Sequence, residues 1–297
     1  MKNVIFLLLI LPFLISSCTN IKDKPDAYGT FEATEVTVSS QANGKILWLT
    51  FEEGQILDSN QIVGLIDTTD FHLKKEQIIA QRDATDAQRN NLEAQIAVQE
   101  QNKENGLVDK TRLEKLFKDG AATRKQMDDI NGNLSLIDKQ IASINSQYTV
   151  LRSQVESLGK QIDQIKKSIS DSRLVNPIKG TVLTKYAEAG EISTYGKPIY
   201  KIADLTCIFL RVYVSGAQLP HIKLGQTVEV RYDRDENTNT KTEGAVSWIS
   251  QTAEFTPKTI QTKEERINLV YAVKVKVKND GGMKIGMPGE MKIIPEK

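Results

Sequence analysis

Residues 127–169 read MDDINGNLSLIDKQIASINSQYTVLRSQVESLGKQIDQIKKSI. Their apolar members are Met127, Ile130, Leu134, Ile137, Ile141, Ile144, Tyr148, Leu151, Val155, Leu158, Ile162, Ile165 and Ile169. The steps alternate three and four without a slip. That is the a/d repeat of a coiled coil, sustained for about six heptads. Asp, Lys, Gln, Ser and Arg fill most other positions. The pattern predicts a long helix with one narrow apolar seam, which another helix must cover.

The segment before it predicts that cover. Residues 70–117 hold no Pro and are rich in Gln, Glu, Ala, Lys and Arg. Leu73, Ala80, Ala84, Ala87, Ala94, Val98 and Val108 lie at heptad spacing, flanked by Ile78, Leu92 and Ile96. Small residues facing large ones still interdigitate. Between the arms stands Lys118-Asp119-Gly120-Ala121-Ala122-Thr123. Gly120 suits a left-handed helix end and Thr123 an N-cap. The reading is one antiparallel hairpin over residues 69–172, with its tip at about 117–124. At 1.5 Å per residue, arms of about 48 residues reach about 72 Å. Gly106, Gly132 and Gly159 each cost about 1 kcal/mol relative to Ala. The rod should therefore gain rigidity from copies of itself or a partner.

Composition narrows the function classes. The chain has 297 residues and a formal net charge of +1. Removing residues 1–17 takes Lys2 and no acid. No basic excess points to nucleic acid. Two cysteines, Cys18 and Cys207, make no disulfide framework, and isolated His72 and His221 offer no zinc spacing. No Gly-Lys-Ser/Thr phosphate loop is present. Nothing indicates catalysis, a metal or a cofactor.

The first residues read as an export signal. Lys2 precedes an apolar run from Val4 to Ile15, too short to span a bilayer well. Leu14-Ile15-Ser16-Ser17-Cys18 resembles a bacterial lipobox, whose cysteine is acylated and becomes the new N-terminus. Several acyl chains on Cys18 would anchor the protein stably. The alternative is an ordinary signal peptide with a chance cysteine. Residues 1–17 are then a signal peptide and 18–27 a polar tether.

Two half-motifs flank the hairpin. Residues 39–67 align with 175–203 without a gap: Gly44 with Gly180, Ile46 with Val182, Gly54 with Gly190, Ile56 with Ile192, Val63 with Ile199, and Ile66 with Ile202. Each half reads as glycine, short strand, turn, short strand. The pattern resembles the halves of a biotinyl/lipoyl carrier domain, a flattened β-sandwich. True carriers join the halves at a turn whose lysine takes the prosthetic group. Here the hairpin replaces that turn, and Lys74 and Lys75 read as solvated charges on its root. The sandwich, with halves over 39–68 and 173–203, becomes a socket for both feet of the hairpin.

Beyond it the period changes to two. Leu210, Val212 and Val214 mark a strand; so do Val228, Val230 and Tyr232, then residues 245–249, 270–277 and 291–294. Ser215 to Pro220 can start a short helical turn, and Asp233 to Thr240 reads as a hairpin loop. Lys274, Lys276 and Lys278 share one face. Residues 204–297 thus read as a small β-barrel. The alternating segment 28–38 adds a strand to barrel or socket. The fold class is α+β, elongated and multi-domain.

That order resembles the HlyD-type membrane fusion proteins, periplasmic adaptors of tripartite export pumps. Gly29-Thr30-Phe31-Glu32-Ala33 with Ala42-Asn43-Gly44-Lys45-Ile46, Asn176-Pro177-Ile178-Lys179-Gly180-Thr181-Val182, Ile222-Lys223-Leu224-Gly225-Gln226-Thr227-Val228 and Lys284-Ile285-Gly286-Met287-Pro288-Gly289 carry the resemblance. Arg112, Leu116 and Thr123 match the family's tip pattern of Arg, Leu and Ser, which meets a TolC-type outer-membrane channel. Thr123 keeps the hydroxyl of the usual Ser. Arg112 as a solvated charge, Leu116 as a seam residue and Thr123 as an N-cap fit as well. The resemblance implies a non-enzymatic adaptor, anchored through Cys18 to the inner membrane of a Gram-negative bacterium. It implies an inner-membrane transporter as partner, ABC-type rather than proton-driven because the chain stops soon after Met291. It also implies self-association into a ring. The alternatives are a coiled-coil spacer lipoprotein and a biotinyl or lipoyl carrier subunit.

Overall fold

The 3–4 repeat of residues 127–169 becomes half of a helix pair. Helix α1 runs Thr69–Lys118 and α2 runs Arg124–Asp171, with a short turn between them. This is a computed structural model that describes residues 24–235, 238–255 and 269–294. The signal segment, Cys18 and most of the tether lie outside the described residues. The helices pair antiparallel. Ile78 packs with Leu158 and Ile162, the Arg89 guanidinium lies 6.0 Å from the Tyr148 ring centroid, and Lys103 pairs with Asp138 at 2.8 Å. All thirteen seam residues of α2 are buried or half-buried.

The face that α1 presents differs from its apolar heptads. Leu73, Ala80, Ala84, Ala87, Ala94, Val98 and Val108 all face solvent. The covered positions include Phe71, Lys75, Ile78, Arg82, Thr85, Arg89, Leu92, Ile96, Gln99, Lys103, Gly106, Lys110 and Leu113, again stepping four and three. Lys75 therefore belongs to the seam, not to the solvated surface. The physical reason is that long basic side chains can lay their methylenes on the Ile/Leu stripe of α2. Asp86 and Asp138 pair with Arg89 and Lys103. A pattern scored by residue polarity misses this face.

Short strands surround the feet. They are β2 (Glu35–Ser39), β3 (Gly44–Leu49), β4 (Ile56–Leu57) and β5 (Ile62–Ile66) before α1, and β6 (Arg173–Val175), β7 (Gly180–Lys185), β8 (Ile192–Ser193) and β9 (Pro198–Ala203) after α2. They form two four-stranded sheets, ordered β2-β9-β7-β4 and β6-β5-β3-β8. Each sheet takes two strands from either side of the hairpin. Exchanging the halves turns one order into the other, so the repeat is a pseudo-two-fold. Its hydrogen bonds repeat too. Asn60 N donates to Asn176 O and Gly196 N to Ser40 O; Asn176 N donates to Gln61 O and Ser40 N to Lys197 O. Asn60 has φ +63° where the other half has Gly196 at +83°. Asn tolerates that left-handed conformation better than most residues.

The hairpin is gripped at both feet. β5 and β6 pair antiparallel, with Ile62 opposite Val175 and Leu65 opposite Arg173. Ile66 N donates to Ser172 O, and Ser172 is fully buried. Asp67 Oδ1 accepts from Thr69 N at 2.9 Å and Thr69 Oγ1 at 2.7 Å, which holds its carboxyl below the usual carboxylate range. This fastens the first turn of α1. Buried Tyr200 donates to Asn176 Oδ1 at 2.9 Å, and Asn176 Nδ2 donates to Asp58 O at 2.8 Å. Burial pushes the Tyr200 phenol up.

The chain divides into two compact units, and the second is a closed barrel. Its strands are β1 (Ala27–Glu32), β10 (Cys207–Ser215), β11 (Thr227–Asp235), β12 (Thr238–Ile249), β14 (Leu269–Lys278) and β15 (Pro288–Ile293), with short β13 (Glu254–Phe255) on the edge of β14. The order β10-β1-β15-β11-β12-β14 closes because β14 pairs back onto β10. Alternate residues fill it, among them Phe31, Leu210, Val212, Val230, Val275 and Met291. The segment 28–38 splits: β1 joins the barrel and β2 a four-stranded sheet. Asp233 to Thr240 is mostly strand rather than loop, since β11 and β12 pair down to Asp235 and Thr238. A polar run can pair fully where the ladder, not burial, satisfies its backbone. The turn after Ser215 is a 3-10 helix, Leu219–His221.

Candidate functional site

The turn between the helices is built by local chemistry. Gly120 takes φ +71°, Gly120 N donates to Phe117 O and Ala121 N to Leu116 O at 2.8 Å. That pair of bonds closes the last carbonyls of α1 in a Schellman motif. Thr123 then caps α2. Gln126 N donates to Thr123 Oγ1 at 3.3 Å, and Thr123 N donates to Gln126 Oε1 at 2.7 Å, a full capping box. Two reciprocal caps fix the reversal within a few residues.

What the turn leaves in solvent is the candidate site. The Arg112 side chain is 75% exposed, with Asp109 3.3 Å away. An ion pair that open contributes little to stability. Leu116 is 49% exposed and Phe117 44%. The seam of α1 ends at Leu113, so Leu116 is not a seam residue. Thr123 is the N-cap, and its hydroxyl is exposed but committed to Gln126. Arg112, Leu116 and Thr123 thus lie on the last two turns of α1 and the first residue before α2. Heptad reasoning does not single out Phe117. The available signal is the adjacent pair Leu116-Phe117 before a polar turn, since two neighbouring residues cannot both face one seam.

Among the described residues no group of His, Cys, Asp and Glu could hold a metal ion, and no helix is long and apolar enough to cross a membrane. The arrangement can offer apolar area beside a cation at the end of a rod.

A family described as RND MFP, barrel-sandwich hybrid domain, matches residues 34–204, more than half of the chain. The chain is a membrane fusion protein. It therefore belongs to a family of periplasmic adaptors, and its barrel and helical hairpin are those of a membrane fusion protein. Similar solved structures include MacA from Actinobacillus actinomycetemcomitans, at 20% identity and a TM-score of 0.59 over 89% of this chain and 76% of that one. The membrane fusion protein Spr0693 from Streptococcus pneumoniae R6 matches at 14% identity and a TM-score of 0.61, over 91% of this chain and 98% of the other. A MacA-MexA chimera carrying the Pseudomonas aeruginosa MexA α-hairpin domain matches at 21% identity and a TM-score of 0.54, over 90% and 80%. At these identities the likeness is one of fold.

Proposed function

We propose that this membrane fusion protein bridges an inner-membrane transporter to a TolC-type outer-membrane channel for export. Acylated Cys18 holds it to the inner membrane. The barrel and the sheets at the hairpin's feet take the transporter. The hairpin tip takes the channel through Arg112, Leu116, Phe117 and Thr123. Copies assemble into a ring that seals the conduit. The observation that carries this reading is the tip itself: Leu116 and Phe117 stand exposed beside the exposed Arg112 where the two helices reverse. Exposed apolar residues at the end of a protruding element mark a contact surface more often than a stability device. A carrier role has no support, because a helix pair occupies the place of the lysine-bearing turn.

The test is site-specific crosslinking in cells from positions flanking the tip. Arg112→Asp and Leu116→Asp should each abolish crosslinking to the outer-membrane channel and restore sensitivity to exported compounds. Far-UV circular dichroism should stay unchanged, because substitutions at exposed sites shift stability by only about 0.5 kcal/mol. Crosslinking retained in both variants refutes the tip assignment. A spacer role would instead show altered envelope spacing with no change in sensitivity.

A further inference from the structure

One rim of the barrel is fastened to the tether. Asp26 N donates to Met291 O at 2.9 Å, Ile293 N donates to Asp26 Oδ2 at 2.7 Å, and Gln218 Nε2 donates to Asp26 O at 2.7 Å. These three bonds fix Asp26 to the barrel. Asp26, Gln218, His221, Lys223, Gln226 and Ile293 line one open cleft of about 570 Å³. On the same rim the turn at Gly225 carries Leu224, 70% exposed. Ile294 is 43% exposed, and Leu269, at the start of β14, is 54% exposed. Lys24 and Lys223 stand among them, both exposed. Asp26 spends its carboxylate on Ile293 N.

We propose that this rim rests on an anionic lipid bilayer, with Leu224 inserted at the headgroup level and Lys24 and Lys223 at the phosphates. The proposal rests on the anchoring of Cys18. The occupant follows from the length of chain outside the structure. Cys18 precedes Asp26 by eight residues, a reach of at most about 28 Å when extended. Acyl chains in the membrane therefore keep the pinned rim within that distance of the surface. Charge alone would not choose the rim, since Lys278 and Lys284 lie toward the other. The described apolar exposure there is lower, Ile285 at 38%, and no tether leaves from it. Apolar tips flanked by lysines suit an anionic interface, where a second weak signal adds to a lipid anchor.

The test uses the full mature chain, acylated as the cell makes it, with Cys207→Ser and a fluorophore on Leu224→Cys or on Lys278→Cys. The chain is bound to vesicles of 70% phosphatidylcholine and 30% phosphatidylglycerol containing doxyl-labelled lipid. The expected result is several-fold stronger quenching at 224 than at 278. Adding Lys24→Glu with Lys223→Glu should reduce the excess, since each lysine near an anionic surface accounts for roughly fivefold in partitioning. Equal quenching at both positions, or more at 278, overturns the proposal while intact mass showing acylated Cys18 upholds the anchor. If the mass shows no acyl chain, the anchor reading fails; the rim contact then stands only if 224 is still preferentially quenched, and falls if it is not.

Discussion

Three glycines inside the hairpin offer a test of how its helices meet. A Cβ placed on Gly132 or Gly159 finds nothing within 4 Å. Alanine there should recover the helix penalty of glycine, about 1 kcal/mol at each site. The two sites are 27 residues apart, about 40 Å along the helix, so the gains should add to about 2 kcal/mol. Gly106 differs. Its Cβ would lie 3.0 Å from Leu134 Cδ2 and 3.8 Å from Cγ, and Leu134 is only 8% exposed. The same gain of about 1 kcal/mol is then offset by overpacking that costs about 1–3 kcal/mol. The net effect should be zero or unfavourable. Native-state hydrogen exchange on the full chain reads each arm separately. Gly132→Ala and Gly159→Ala should each slow exchange of the surrounding α2 amides about fivefold, the equivalent of 1 kcal/mol. Gly106→Ala should not slow exchange in α1. If it does so as strongly as Gly132→Ala, Gly106 is not held against Leu134. The pairing register that joins Lys103 to Asp138 would then be wrong.

Four further outcomes follow from the geometry. Thr123→Val removes the capping box, so exchange at residues 124–127 should accelerate about fivefold, for a cap contribution of about 1 kcal/mol, with the hairpin feet unchanged; unchanged exchange at 124–127 would show the cap is idle. Tyr200→Phe removes the hydrogen bond from the buried phenol to Asn176 Oδ1 and should destabilise the chain by about 0.5–1.5 kcal/mol, read as a lower melting temperature; an unchanged melt would discard that bond as a support of the feet. Gly29→Ala would place a Cβ 1.8 Å from Arg211 O, so β1 could not stay paired with β10, and soluble folded protein should be lost; a normally folded variant would contradict the barrel register. The hydrogen bond from Arg231 to Glu229, at 2.6 Å, holds the Glu229 carboxyl below its ordinary value. Its stabilisation is complete above the unfolded value of about 4.3 and is lost as pH falls through the lower folded value. The melting gap between wild type and Glu229→Gln should accordingly be full at pH 7 and shrink as pH falls below the unfolded value of about 4.3; a gap that does not narrow at all on acidification would remove the carboxylate from the explanation.

The tip shows how unevenly a site can be read from sequence. Gly120 and Thr123 are legible, because a left-handed turn and an N-cap need particular residue types within a few positions. Arg112 and Leu116 are legible only through a family pattern, since a charge and a leucine near a helix end fit many roles. Phe117 escapes both routes. Its exposure depends on where the seam of α1 stops, and Leu113 marks that point only once α2 is in place.

For this membrane fusion protein the sequence alone determined whatever rests on short-range periodicity. The seam of α2 followed from apolar steps of three and four, the barrel strands from alternation, and the repeat from glycines recurring at Gly44 and Gly180 and at Gly54 and Gly190. Tertiary structure alone decided which partner each face meets. It turned the alanine stripe of α1 to solvent and laid Arg82, Arg89 and Lys103 against α2, because an amphipathic stem can cover an apolar stripe as well as a leucine can. It also dealt the strands of each half into both sheets, a choice made by hydrogen bonds between distant segments such as Asn176 with Gln61 and Ser40 with Lys197. Pairings of that kind leave no local trace in the residues that make them.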